Sequence, residues 1–282
     1  MTATAWPRRA ASKAVAAPMP RPPPVTKSTC WFNSDLLHKS CASVKTVGPD
    51  YITEGGSQVA GLTRSTGMFR RRFVRGGEFM SKTIDYYFPP QSPWTYLGHA
   101  RFAAIAAAAG ATVRVRPVDM GSIFPVSGGL PLGKRAPQRQ AYRLVELERF
   151  SKHLGIPLHP KPKFFPVAGD DAARLIIAVD LNDGCEAAMR MCAAVFGAVW
   201  AQERNIGDPK VLEALVAECG LPAKRAEQAQ SQAVQERYEA YTQEAIDIQV
   251  FGAPSYVIDG EIFWGQDRLD FVERALRAGP AG

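Results

Sequence analysis

Two hydroxyl side chains, Ser92 and Thr95, are the first candidates for chemistry in this sequence. They sit in FPPQSPWTYLG, residues 88–98. Upstream, the β-branched and aromatic run Thr83–Phe88 reads as a buried strand. Downstream, Leu97, Phe102 and Ile105 in an alanine-rich stretch closed by Gly110 read as a helix. Ser92 therefore falls at a strand-to-helix corner, with Pro93 at the first helical position, where a missing N–H is no loss. Orphan N–H groups and the positive end of the helix dipole favour an anion there. Two cysteines at this spacing would form a dithiol activated by the same field. With Ser92 and Thr95 in their place, the pair has no thiol–disulfide chemistry. The Ser92 hydroxyl can instead donate a hydrogen bond to a thiolate carried by another molecule. Its plain alternative role is that of a helix cap.

The elements that must position this corner follow along the chain. Thr112–Val118 (TVRVRPV) alternates as a strand and completes a β-α-β unit with a right-handed crossover. Residues 121–137, rich in Gly and Pro, read as a loop. Helical patterns then cover Gln138–Leu154, Asp171–Val179, Gly184–Arg204, Asp208–Cys219 and Ala223–Asp247. Asp208-Pro209 reads as an N-cap with proline behind it, and Gly220 and Pro222 stop that helix. Ser255–Ile258 and Glu261–Trp264 are short strands joined by Asp259-Gly260, a strong hairpin signal, and an amphipathic helix begins near Asp267. The order β-α-β, helices, β-β-α is that of an α/β, thioredoxin-like fold with a large all-helical insertion. Residues 80–120 and 248–282 form the thioredoxin-like domain and residues 121–247 the inserted helical domain.

Composition narrows the function. Of the 34 Lys/Arg and 27 Asp/Glu in the chain, 12 and 4 lie in residues 1–79 and leave 22 and 23 for the rest. The globular part is thus near neutral and has no electrostatic footprint for nucleic acid. No run of 18 apolar residues is present to span a membrane. The five cysteines include no Cys-x-x-Cys, and the three in the globular part fall on expected helices. They read as small buried hydrophobes in a reducing cytoplasm. The four histidines are scattered and suggest no metal site. Residues 1–79, basic and Pro-rich, lack periodicity and read either as a disordered, targeting-like extension or as sequence upstream of a natural start at Met80. We adopt the second reading.

From about Lys82 to Leu276 the chain resembles the 2-hydroxychromene-2-carboxylate isomerases, relatives of kappa-class glutathione transferases and DsbA-like oxidoreductases. The likeness is carried by SPWTYLG (92–98), RPVDMGSIFPVSGG (116–129), KFFPV (163–167) and FGAPSYVIDGEIFWGQDRLDFV (251–272). The resemblance implies a glutathione-dependent cis–trans isomerase of an aromatic-degradation intermediate. The glutathione thiolate adds to a conjugated system, the former double bond rotates, and the thiolate leaves. It implies Ser92 as the catalytic hydroxyl, donating to the glutathione sulfur and favouring its ionised form. Pro254 would be cis, exposing the Ala253 backbone to the cysteinyl unit by a short strand-like pairing. Trp264, Gly265, Gln266 and Asp267 complete the expected glutathione site. The start of the last helix suits the γ-glutamyl carboxylate and Asp267 its ammonium. Trp264 either walls the pocket or, as we expect, joins the core. Tyr96, Lys134, Arg135, Arg139 and Tyr142 lie where a small aromatic carboxylate would bind, and Phe124, Phe164 and Phe165 could stack on it. A homodimer is the implied assembly. The chain departs from the family pattern at Pro89-Pro90, at Gly129, where relatives carry asparagine, and at Ala168-Gly169, where they often carry Asn-Thr. The alternatives are a kappa-like transferase that conjugates electrophiles and a non-catalytic binding protein of the same fold.

Overall fold

The structure, a computed structural model, describes residues 81–278. The expectations for residues 1–79 and for Met80 lie outside the described residues. Four strands make one mixed sheet in the order β2-β1-β3-β4. The central strand β1 (Thr83–Phe88) runs parallel to β2 (Thr112–Pro117) and antiparallel to β3 (Ser255–Ile258), which turns back into β4 (Glu261–Trp264). Burial on both faces explains the unbroken apolar and aromatic character of β1. Its Tyr86 ring stacks on Tyr256 of β3 at 5.3 Å and meets Phe102 at 4.6 Å. Asp85, the one acid in the strand, pairs with Arg114 and Arg116 of β2.

Helix α1 (Pro93–Ala108) crosses from β1 to β2. Leu97, Phe102 and Ala106 form its buried stripe. Between β2 and β3 lie α2 (Met120–Ser127), α3 (Pro137–Leu154), α4 (Asp170–Asp183), α5 (Cys185–Trp200), α6 (Pro209–Glu218), α7 (Lys224–Gln228) and α8 (Gln232–Asp247). Side chains of this block enter the same core as the sheet: Phe196 of α5 meets the Phe88 ring edge-on at 5.2 Å. A 3-10 turn (Gln266–Arg268) leads from β4 into the last helix, α9 (Leu269–Arg277).

Both hairpin strands and β1 lie where the sequence placed them, and the Ala253–Pro254 bond is cis as expected. Other boundaries differ. The Gly/Pro-rich stretch 121–137 is not all loop. Asp119 caps α2 by accepting from Gly121 N–H at 2.7 Å and from the Ser122 hydroxyl at 2.7 Å, and the helix runs past Pro125. The expected helix Ala223–Asp247 is two helices, because the Ser231 hydroxyl caps α8 on Val234 N–H and starts it afresh. The helix expected to begin at Asp267 opens as the 3-10 turn instead. Cys219 ends α6 as its C-cap rather than lying within it. Trp264 is not core: it is 52% exposed, with its ring against Phe251 at 4.9 Å. It is the last residue of the edge strand β4.

Candidate active site

The corner at Ser92 is built by its own backbone. Ser92 N–H donates to Pro89 C=O at 3.1 Å, closing the turn after β1, and Ser92 takes extended angles as the N-cap of α1. Its Oγ accepts from Thr95 N–H at 3.2 Å. That bond uses a lone pair and leaves the hydroxyl hydrogen to donate elsewhere. Ser92 is buried and Thr95 fully so, and among the described residues the Thr95 Oγ1 has no hydrogen-bond partner. Capping and thiolate stabilisation are therefore compatible roles for Ser92, because they use different parts of the hydroxyl.

The β1–β3 register brings the far end of the chain to this corner. Tyr87 pairs with Ser255, so Pro254 and Ala253 follow β1 to its end, where the Pro89–Ser92 turn begins. Pro254 C=O accepts from Gly265 N–H at 2.8 Å, and the Ser255 hydroxyl donates to Gly252 C=O at 2.8 Å. Among the described residues, neither the N–H nor the C=O of Ala253 has a backbone partner. The Trp264 indole lies against Gly252 and forms with Phe251 an exposed aromatic ledge beside this segment.

The next turn is tied to α1. Gln266 is 2% exposed, and both its carbonyl and its side-chain oxygen accept from Arg101, the latter at 3.1 Å. Its side chain is thus a strut, not an open ligand contact. The Asp267 carboxylate is half-exposed and pairs with Arg268 at 2.7 Å, a surface pair that holds weakly. The N–H groups of Gln266 and Asp267 open a helical turn and have no acceptor within it.

The proposed substrate residues divide. The Tyr96 hydroxyl donates to Pro157 C=O at 2.7 Å, pinning α1 to the segment after α3, and burial raises its pKa. Tyr142 is 58% exposed on the flank of α3 beside Glu146 and Arg149, off the stripe through which Phe150 meets Trp94 of α1. Lys134 is exposed at the end of a 3-10 turn. Arg139 is exposed in the first turn of α3. Arg135 is half-buried, donates from Nε to Leu130 C=O at 2.8 Å and lies 6.0 Å from the Phe124 ring centre. Phe164 is partly exposed under Lys163, and Phe165 packs on Trp200 at 4.8 Å.

The two glycine departures have fillers. The Phe124 ring occupies the space a side chain at Gly129 would take. The Gln91 side chain, directly before Ser92, occupies that of Gly169. Arg143 and Gln91 were not singled out from sequence. Arg143 lies on the α3 stripe with Leu147, Phe150 and Leu154, and a charge at a stripe position was its signal. A separate polar cleft lined by Asp119, Asp170, Arg174 and Tyr238 is satisfied internally: the Tyr238 hydroxyl donates to Asp170 at 2.9 Å and Arg174 to Gln235 at 2.9 Å. Among the described residues no His/Cys/Asp/Glu group could hold a metal, and no helix is long and apolar enough to cross a membrane.

Comparison with known proteins agrees with this fold. The DsbA-like thioredoxin domain matches residues 83–277. A Pseudomonas putida 2-hydroxychromene-2-carboxylate isomerase is 32% identical over 196 residues, 68% of this chain and 93% of its own. A Caenorhabditis elegans glutathione S-transferase kappa 1 is 26% identical, covering 69% of this chain and 90% of its own. The solved structure of a 2-hydroxychromene-2-carboxylate isomerase superposes with a TM-score of 0.59 at 30% identity, over 69% of this chain and 94% of that one. The chain is an enzyme of the 2-hydroxychromene-2-carboxylate isomerase family, built on a DsbA-like thioredoxin domain.

Proposed function

We propose that the protein is a glutathione-dependent cis–trans isomerase of a planar, conjugated carboxylate from aromatic-ring breakdown, working in the cytoplasm. The observation that carries this reading is the Ser92 hydroxyl, buried at the N-terminus of α1 with its lone pair engaged by Thr95 N–H and its hydrogen uncommitted. The residues present fit glutathione. Ser92 donates toward a sulfur held at the corner, and the start of the 16-residue helix α1 favours negative charge there. The unpaired N–H and C=O of Ala253 suit an extended peptide unit. Pro254 and Gly265 hold that segment in place through their hydrogen bond. Asp267 can exchange its surface partner Arg268 for an ammonium, and Trp264 forms a wall. Bound glutathione supplies a thiolate able to add to a conjugated double bond and depart again. The chain's task is to keep that sulfur ionised and exclude water, without any redox change.

The test is a glutathione titration followed by the ultraviolet thiolate band, in wild type and Ser92→Ala. A hydrogen bond to a charged group is worth about 1.5–3 kcal/mol, so the alanine variant should raise the bound thiol's pKa by about 1–2 units. An unchanged thiolate signal removes Ser92 from this role. The kappa-class relative supports a second reading, conjugation of electrophiles by the same thiolate. A stable glutathione conjugate with a general electrophile, and no isomerised product from a conjugated carboxylate, would select it.

A further inference from the structure

Among the described residues one half-buried cation of α3, Arg143, has no counter-charge. Arg143 is half-buried on α3, with its guanidinium carbon 5.2 Å from the Phe165 ring centre and 5.7 Å from that of Trp200. Among the described residues no carboxylate lies within ion-pair distance of it. The Trp200 indole N–H is buried with no hydrogen-bond partner among the described residues. The neighbouring charge is another cation, Arg135, which together with burial lowers the Arg143 pKa to about 10. Arginine remains protonated at neutral pH under that shift. A desolvated, unpaired guanidinium is unfavourable unless an anion completes it. The planar fork of arginine matches a carboxylate with two parallel hydrogen bonds.

Three packing contacts link the segments around this cation, though not the guanidinium itself, to the Ser92 corner. From Phe165 the chain runs to Gly169, which abuts Gln91, the residue before Ser92. Phe196, one turn before Trp200, packs on Phe88 at the end of β1. Phe150, on the same stripe as Arg143, packs edge-on against Trp94 in the first turn of α1 at 5.9 Å.

We infer that Arg143 anchors the carboxylate of a planar, conjugated substrate, with the half-buried Phe165 ring beside it to receive the flat body. Arg143 is thus a specificity-determining residue. The inference rests on the isomerase reading for the class of substrate, but not on glutathione. Glutathione also carries carboxylates, so the test separates the two sources. Cinnamate, its methyl ester and glutathione are each titrated calorimetrically into the full chain, wild type and Arg143→Met. Cinnamate should bind wild type more tightly than the ester. Arg143→Met should weaken cinnamate by about tenfold or more and leave the ester and glutathione unchanged. If the variant weakens glutathione and spares cinnamate, the guanidinium serves the tripeptide and the inference falls. It also falls if cinnamate affinity is equal in both proteins, or if wild type does not prefer acid to ester. Arg143→Lys, which keeps the stem and charge but not the fork, should lie between the two and carries the test if the methionine variant does not fold. Should wild type discriminate cinnamate through Arg143 yet fail to bind glutathione, the anchor stands and the glutathione reading fails.

Discussion

At the Ser92 corner a single hydroxyl serves two partners because its donor and acceptor are separable. Thr95 N–H takes a lone pair and restrains the oxygen, while the hydrogen stays free to turn toward a second partner. Thr95 itself is different. Its Oγ1 is buried without a partner among the described residues, which leaves a desolvated hydroxyl that a methyl group could replace. Thr95→Val should therefore leave the free protein as stable as wild type or stabilise it by up to about 1 kcal/mol, measured by urea unfolding. A loss beyond about 1 kcal/mol would mean that the hydroxyl is satisfied after all. Gly129 and Gly169 each face the side chain of another residue. Phe124 and Gln91 fill the space a side chain at those positions would need, so neither position accepts a larger residue unless its filler moves.

At the scale of elements, α1 is the part on which the corner and the far end of the chain converge. Gly98 faces the 3-10 turn, and a Cβ there would lie 2.7 Å from Gln266 Cβ and 3.1 Å from the Tyr256 hydroxyl. That close approach lets Arg101, one turn further along α1, reach the Gln266 carbonyl and side chain. Gly98→Ala should cost about 1–3 kcal/mol of stability by overpacking, despite alanine's better helix propensity. It should also weaken glutathione binding, because the turn carrying Asp267 is displaced. Thermal unfolding and a glutathione titration check the two effects, and a variant as stable as wild type would show that the turn yields freely. Strands β1, β3 and β4 were legible because period, β-branching and the Asp259-Gly260 turn all agree. Helix α2 was hidden because its glycine and proline outweigh in sequence the one signal that decides it, the Asp119 cap. The break between α7 and α8 depends on one serine within a continuous helical pattern. Arg143 was obscured in another way: its role depends on which rings it meets, and Phe165 and Trp200 lie far along the chain.

At the scale of the molecule, one buried histidine of α1 joins the sheet to α5. His99 of α1 has Nε2 3.0 Å from Met189 C=O of α5 and Nδ1 3.3 Å from the Tyr86 hydroxyl of β1. A carbonyl can only accept, so Nε2 carries the proton and Nδ1 accepts from the tyrosine. The ring is thus neutral, stacked beside Tyr86 and edge-on to Phe196 at 5.2 Å. Burial lowers its pKa from 6.5 to about 4. As pH falls below 6.5 the unfolded chain takes up a proton at this position that the folded protein refuses until about pH 4. The folded state therefore keeps its full advantage above pH 6.5, loses it progressively down to about 4, and loses no more below that. The total loss is of the order of 3 kcal/mol. His99→Gln removes the titration while an amide can still donate to the Met189 carbonyl and accept from Tyr86. The variant should be less stable than wild type at pH 8, by about 1–3 kcal/mol, through imperfect packing. Between pH 6.5 and 5, however, its stability should fall less steeply than that of wild type, because the proton uptake is gone. Urea unfolding across this range measures both slopes, and parallel slopes would show that His99 is not the neutral strut that joins β1, α1 and α5.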